Sequence, residues 1–531
     1  MIYLKIVNGK VKAYGDPIAK YDRKIADSAW EKYDYNAFIS GGKIVLGSNF
    51  KKTSFKDKVV SGGVQEVYGT AHNTKILRGG SQNMNGGSAY NTVISSGGRQ
   101  RIYSEAINEK TRTGNGFTSG TLIYNGGKQA VVAQGASSYD TTIFSGGSQK
   151  LYNGTYAYNT IISGGEQKLY PGAVANKTNI KANGIQILQN EYGYSASTLG
   201  VAKNTTVSSG GTLQVYASCV ASSAKILNGG SMEIYSGGKA VSLTMNSGAK
   251  LNLAGNATVT GKTNLNGVAL SVSSVDNKLG TVTTNNSTKV TYKLSSVSAK
   301  STNPMLKLSS NTAQNGQYTI SVKKTQGIGT YELSENIKQA NDTAYTLKLG
   351  STTISTLKLN SGSSAVNGVT YSLKKSGAKV NLTLAMKAGV MKNGNASNNT
   401  LTGTSHCDIF YGGKGNDKID GTNGRDVAVY DTTAWGKDVI SKTSGTMTIL
   451  FNDLASSDIS KSLKSGTMTI TRNSDTSQKV TISGWDNATH KIVYTSNMTS
   501  FNDYLKAISP TSTQQAKART EVWKKAGLAS A

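Results

Sequence analysis

The chain is short of what most enzymes and toxins are built from. Among 531 residues there are 2 Cys, 4 Pro and 3 His, and only 16% are charged. Cys219 and Cys407 lie far apart in differently patterned segments, so no disulfide framework is expected and both thiols read as unpaired. Three histidines, His72, His406 and His490, leave little material for acid–base chemistry. Acids are scarce: Asp and Glu total 29 against 58 Lys and Arg, a formal net charge of +29. No apolar run approaches the ~18 residues that a helical membrane span needs, so no integral span is expected. The opening MIYLKIV is shorter than a signal-peptide core and runs into Asn8-Gly9-Lys10 without a small-residue cleavage site. The protein is expected either to stay in the cytoplasm or to leave by a route that reads another signal.

What is present is glycine, 60 residues of it, with 27 tyrosines and abundant Ser, Thr and Asn. That composition fits a β-rich, turn-dense chain and neither a helical enzyme nor a highly charged disordered tail. Gly-Gly pairs begin at Gly62, Gly79, Gly97, Gly126, Gly146, Gly164, Gly210 and Gly229. Most steps between them give a repeat of about 18–20 residues, the period of a solenoid. The two long steps, 97 to 126 and 183 to 210, read as coils with insertions or as one degenerate coil. TIISGGEQKLY at 160–170 and TIFSGGSQKLY at 142–152 show the unit: an apolar-alternating strand, a glycine turn, and a second such strand. One unit buries almost nothing, but stacked units share an apolar column. The expected fold class is therefore all-β, with a right-handed parallel β-helix or solenoid over 36–270.

Two polar columns accompany the stack. Gln65, Gln82, Gln100, Gln129, Gln149, Gln167 and Gln186 fall three residues after the first turn glycine, or its equivalent Asn183, and Tyr68, Tyr103, Tyr152, Tyr170, Tyr216 and Tyr235 fall six after it. Identical side chains at strand spacing stabilise one another, so both columns read as stacking ladders, with a regular ligand-binding face as the alternative. The repeats GGVQEVYGTAHNTKI at 62–76 and GGSQKLYNGTYAYNTI at 146–161 resemble the AIDA-type repeat of bacterial adhesin and autotransporter passengers. That resemblance covers a little under half of the chain and implies an extracellular bacterial surface protein.

Residues 1–35 read as an N-terminal cap, and 271–390 as a second β-rich domain of alternating strands such as YTLKLG at 345–350 and YSLKK at 371–375. From Gly394 the period becomes nine: GNASNNTLT, GTSHCDIFY, GGKGNDKID and GTNGRDVAV fill 394–429. This tract resembles the calcium-binding nonapeptides of RTX haemolysin-type proteins. The resemblance implies a short β-roll over 391–430 that holds Ca2+ through Asp408, Asp417, Asp426 and Asn399 and through the turns at Gly403, Gly412, Gly415, Gly421 and Gly424. Two nonapeptides per coil would place Asp408 beside Asp426 and Asn399 beside Asp417. A hard cation wants six to eight oxygens, which glycine-turn carbonyls and a carboxylate can supply. Thr404, Thr422 and His406 replace family glycines, so one or two sites of modest affinity are expected, at roughly 0.1–1 mM. His406 beside Cys407 suggests zinc, but no second Cys/His pair lies near.

The strands of 431–500, ending in VTISGW at 480–485, resemble the C-terminal β domain that follows RTX repeats. The tail 501–531 has helical composition in QQAKARTEVWKKA and is similar to an uncleaved type I secretion signal, with a packed terminal helix as the alternative. Type I export would need no N-terminal signal, and calcium outside the cell would drive folding, since binding free energy becomes folding free energy. Alternating segments of a membrane barrel, which AIDA autotransporters carry, are not seen. The function expected is that of a secreted adhesin or matrix component, not an enzyme, whose partners are an acidic polysaccharide or cell-surface glycan and the type I secretion apparatus. A β-helix polysaccharide-active enzyme is one alternative, but Glu66, Glu166 and Glu233 recur singly and form no acid–base pair. An RTX-like toxin is another, but no apolar membrane-active helix is present. The positive charge implies attraction to anionic surfaces, without a motif for specific nucleic-acid binding.

Overall fold

A computed structural model describes residues 2–7, 10–14, 35–40, 43–46, 53–106, 113–190, 199–299, 301–313, 315–441 and 445–528. The expected cap is described only at its hairpin, where Ile2–Val7 runs antiparallel to Lys10–Tyr14 and parallel to Tyr35–Ser40. The rest of 1–35 lies outside the described residues.

The solenoid is a parallel β-helix with three short strands per coil, where the repeat suggests two. One coil comprises Ser81–Asn85, Ser88–Tyr90 and Val93–Ile94. Each strand pairs in parallel with its counterpart a coil earlier: Met84 with Val67, Ala89 with Ala71, Ile94 with Ile76. The extra corner comes from the Asn of the Asn-Thr motif. Asn73, Asn91, Asn159 and Asn204 hold φ of 55°, 56°, 55° and 53°, the left-handed region that Asn tolerates better than most residues. The chain therefore bends there and starts a third face. The Thr that follows, such as Thr74, Thr92 or Thr160, points inward and is fully buried.

The glycine turn has two separate requirements. Gly79 has φ 77°, and a Cβ on Gly80 would collide with the Val59 carbonyl of the preceding coil. The first glycine is thus fixed by its dihedral and the second by close approach. The interior is an apolar column of three kinds, with Val67, Ala71 and Ile76 supplying one coil's share at 0% exposure. A buried Val or Ile of this column contributes roughly 1.5–3 kcal/mol, collected only when the next coil covers it.

Both long steps are insertions in single coils, because Gln100 pairs directly with Gln129 and Ile185 with Thr212. Parallel pairing continues past Val272, where Asn277–Leu279 pairs with Leu306–Leu308. One compact unit comprises 1–290 with 306–316, and the other 291–305 with 317–531.

Within the second unit, Lys379–Met386 pairs antiparallel with Gly329–Lys338 on one side and Val369–Ser376 on the other. The nonapeptides form a two-sheet roll. Ala388–Asn393, Cys407–Tyr411, Arg425–Tyr430, Thr446–Asn452 and Lys491–Thr495 make one sheet, while Thr400–Thr402, Lys418–Asp420 and Lys437–Ile440 begin the other. Phe410, Ile419, Ala428, Ile440 and Ile449 pack between them.

Two helices follow, α1 (Thr499–Lys506) and α2 (Ser512–Lys525). The tail is not free: Ala518, Val522 and Ala526 pack with Phe501 and Met498 onto Ile409, Val427 and Leu450. These residues fall every fourth position along the tail, so a helix presents them as one stripe to the roll. The side chain of Thr511 caps α2 by accepting from Gln514 N at 3.2 Å.

Candidate functional site

The expected glutamine ladder is internal. Gln65, Gln82, Gln100, Gln129, Gln149, Gln167 and Gln186 are at most 1% exposed. Each Nε2 donates to the Oε1 one coil earlier, at 2.5–2.7 Å from Gln82 through Gln186. At the start Gln65 donates to Asp57, and at the end Thr205 donates to Gln186 Oε1 at 3.1 Å. Beyond it Leu213, Met232, Leu251 and Leu270 take over the column, also buried. The ladder is structural and presents nothing to a ligand. In the tyrosine column Tyr152 stacks on Tyr170 at 4.9 Å and Tyr216 on Tyr235 at 4.3 Å, between ring centroids.

Two outer faces of the solenoid carry surfaces, the first of them built around members of the tyrosine column and the second around rings that the repeat does not mark. On the first-strand face, Arg99, Arg101, Lys128 and Lys150 line a groove of about 700 Å³ with the rings of Tyr103 and Tyr152. Among the described residues the one acid lining it is Glu166, whose carboxylate pairs with Lys168 at 3.2 Å. On the second-strand face, rings form a ladder: Phe55, His72 and Tyr90 stack at 4.9 Å steps, and Tyr139 stacks on Tyr158 at 5.0 Å. Ser119 interrupts that column, being paired with Tyr90 and Tyr139 on either side. Phe117 leans across the gap, meeting both tyrosines edge-on. An open groove of about 830 Å³ lies there, lined also by Asn115, Gln134, Asp140 and Tyr156. The signal was available, because outward positions of a strand alternate with the inward Ala, but which outward columns share a face depended on the third strand.

Glu66 and Glu233, weighed above as acids of a β-helix enzyme, are engaged in side-chain contacts. Glu66 accepts from Asn83 at 3.0 Å, and Glu233 accepts from Gln214 at 3.0 Å and from the Tyr235 hydroxyl at 2.6 Å.

In the roll, the sequence-proposed residues come together in two stacks. On one edge Asn399 N donates to Asp417 Oδ1 at 2.7 Å, and on the other Asp408 N donates to Asp426 Oδ1 at 2.9 Å. The first stack also contains Asp438, which the nonapeptide register missed: Asp417 N donates to its Oδ1 at 2.8 Å. Its signal is the recurring polar-x-aliphatic triplet, Asn399-Thr-Leu401, Asp417-Lys-Ile419, Asp438-Val-Ile440. The glycines lie under the carboxylates. A Cβ on Gly412 would fall on Asp417 Oδ2, one on Gly421 or Gly403 would meet Asp426 or Asp408, and Gly415 and Gly424 face the carbonyls of Ser397 and His406 a coil earlier.

These carboxylates differ in how far they are satisfied. Asp408 accepts from Val390 N and Thr404 N, both at 2.6 Å, and from the Thr404 hydroxyl at 3.0 Å. Asp417, Asp426 and Asp438 each keep one buried oxygen, Oδ2, without a hydrogen-bond partner. Burial, the largest influence, pushes the Asp426 carboxyl up to about 9 and that of Asp438 up to about 7, and it raises Asp417 as well. Orphaned carboxylate oxygens beside glycine-turn carbonyls suit a hard cation. Among the described residues no group of three or more His, Cys, Asp or Glu gathers in one place, so backbone carbonyls would have to complete any shell.

Both cysteines are free and buried. Cys407 donates to the Gly368 carbonyl at 2.9 Å, and burial pushes its thiol up to about 12, an inert position for a metal ligand. Among the described residues no helix is long and apolar enough to cross a membrane.

No family model matches the chain, and no curated protein matches it. Among solved structures, it is similar to the TibC-catalysed, hyper-glycosylated fragment 55–350 of TibA, at 24% identity over 59% of this chain and 96% of that one, with a TM-score of 0.36. At that score the likeness assigns nothing to this chain. The β-solenoid class stands on its own coil-to-coil register.

Proposed function

We propose that the chain is a secreted bacterial surface protein, an adhesin or matrix component, whose solenoid holds an acidic polysaccharide or cell-surface glycan. The observation that carries this reading is the groove where Arg99, Arg101, Lys128 and Lys150 surround the rings of Tyr103 and Tyr152. Cations spaced by the coil repeat match the regular charges of a polyanion, and rings offer flat apolar faces to sugars. Each contact is weak, and repetition along the stack supplies avidity. The net charge of +29 adds long-range attraction that salt screens. The role is non-catalytic.

Export by a type I system and folding by calcium outside the cell belong to the same reading. Asp417 and Asp438, with Asn399 on the same edge and Asp426 on the other, are the residues that would hold the cation. Bound on the first edge, it would neutralise the orphaned Oδ2 atoms of Asp417 and Asp438, and a second ion on the other edge would neutralise that of Asp426. Until then those buried charges oppose closure of the roll.

The test is binding of the full chain to immobilised polygalacturonate, with neutral dextran as control, across a salt series. The Arg99→Ser, Arg101→Ser, Lys128→Ser triple variant should bind at least tenfold more weakly with a shallower salt dependence. Equal binding by the variant, or equal binding to neutral dextran, would sink the glycan assignment.

A further inference from the structure

Among the described residues, Arg425 is a buried cation without an acidic partner. It opens the strand Arg425–Tyr430, all six residues of which are buried, and it is itself 5% exposed. Its Nε has no hydrogen-bond partner, and among the described residues no ion pair includes it. The groups whose electrostatic pull favours its charge are Tyr371, Cys407 and Tyr331, all neutral at pH 7. The neighbouring Asp426 takes the opposite side of the strand, where it accepts from Asp408 N at 2.9 Å.

Arg425 lines a cavity of about 220 Å³ together with Lys491, His490, Thr446, Thr448 and Asn487. Lys491 is lowered by burial and by the charge of Arg425, as two cations sharing one space should be. The acid on this side, Asp486, is engaged by Ala488 N at 2.9 Å and the Thr489 hydroxyl at 3.3 Å. A guanidinium cannot shed its proton, and burying one unpaired costs several kcal/mol. A second cation nearby adds to that cost. An anion in the cavity removes both penalties, and the guanidinium fork and threonine hydroxyls match the oxygens of a tetrahedral oxyanion. The space is smaller than the ~300–1,000 Å³ of drug-sized pockets, which suits one such group.

We propose that this cavity binds a single tetrahedral oxyanion, sulfate or phosphate, either free or as the terminal group of a sulfated or phosphorylated glycan. The site is separate from the solenoid groove and does not depend on the function assigned to it.

The experiment is calorimetric titration and thermal unfolding of the full chain with millimolar sodium phosphate or sulfate against chloride at equal ionic strength. At millimolar levels the general salting effect of sulfate is negligible, so a saturable rise in unfolding temperature reports a site. Arg425→Met should lose the response while unfolding in chloride at or above the wild-type temperature, because it removes an unpaired buried charge. Lys491→Gln, the milder change, should weaken anion binding at least tenfold and preserve the fold. A sulfated disaccharide titrated in parallel identifies the source: a matching response assigns a glycan terminus, and a response to the inorganic ions alone assigns a free-ion site. Absence of any anion-specific response in the wild type, or an undiminished response in Arg425→Met or in Lys491→Gln, would overturn the proposal.

Discussion

Breaking the amide ladder at Gln129 gives the sharpest test of what holds the solenoid. The Gln129 amide donates to Gln100 Oε1 at 2.7 Å and to the Thr118 hydroxyl at 3.2 Å, and it accepts from Gln149 Nε2 at 2.5 Å. Gln129→Leu keeps most of the volume but strands Gln100 Oε1 and takes one of two acceptors from Gln149, which retains Ser138 at 3.0 Å. An orphaned buried group costs about 1–3 kcal/mol, so the two ends together cost about 2–5 kcal/mol. Added apolar burial returns about 1–2 kcal/mol, leaving a net loss of about 1–3 kcal/mol. Adding Gln149→Leu should cost less than it does alone, since its donor has already lost that partner, and a coupling of about 1 kcal/mol or more is expected. The reverse change, Leu251→Gln, puts an amide between Met232 and Leu270, which offer it nothing. It should destabilise by a similar amount. Because a solenoid unfolds locally, the assay is native-state hydrogen exchange of the amides between 99 and 169 as well as global urea unfolding. Single costs under ~0.5 kcal/mol, or costs additive within ~0.3–0.5 kcal/mol, would refute the ladder as a cooperative element.

In chelator, the roll should lose stability as pH rises. Unfolded aspartate titrates near ~3.9, whereas Asp438 and Asp426 are raised to about 7 and about 9. Their contribution is then complete below about pH 4 and lost progressively as pH climbs through those values. Calcium should reverse the trend, which unfolding of the full chain at pH 5 and pH 8, with and without the ion, will read. A chelated roll more stable at pH 8 than at pH 5 would contradict the burial argument. Asp417→Asn or Asp438→Asn should shift the calcium midpoint severalfold, while Asp408→Asn should lower stability with little shift, because both Asp408 oxygens are already satisfied. A large shift from Asp408→Asn alone would reverse that ranking. Val522→Asp places a carboxylate at a fully buried position of α2 against Val427 and Leu450. It should cost several kcal/mol and expose the roll to limited proteolysis, and an unchanged cleavage pattern would mean that the helix does not cover the sheet.

The coil period, the glycine turns and the glutamine column were legible because each is a local rule repeated in register, whereas the nonapeptide edges came from the resemblance to RTX repeats. A left-handed turn needs glycine, a strand alternates every second residue, and identical coils stack like on like. The third strand was nearly legible too, since Asn before Thr marks its corner, but that corner becomes visible only once φ is known. The rest follows from contacts between segments that no period relates. Pairing of Gln100 with Gln129 turned the long step into an insertion. Asp438 joins Asp417 from 21 residues away, beyond the nonapeptide register. Packing of Val522 on Val427 turned a free-looking tail into a cover for the roll. The sequence by itself determined the repeating unit and what it buries. Tertiary structure alone decided that Arg425, unremarkable in its nonapeptide, lines one cavity with Lys491, because burial and missing partners are properties of everything around a side chain and of nothing within its own segment.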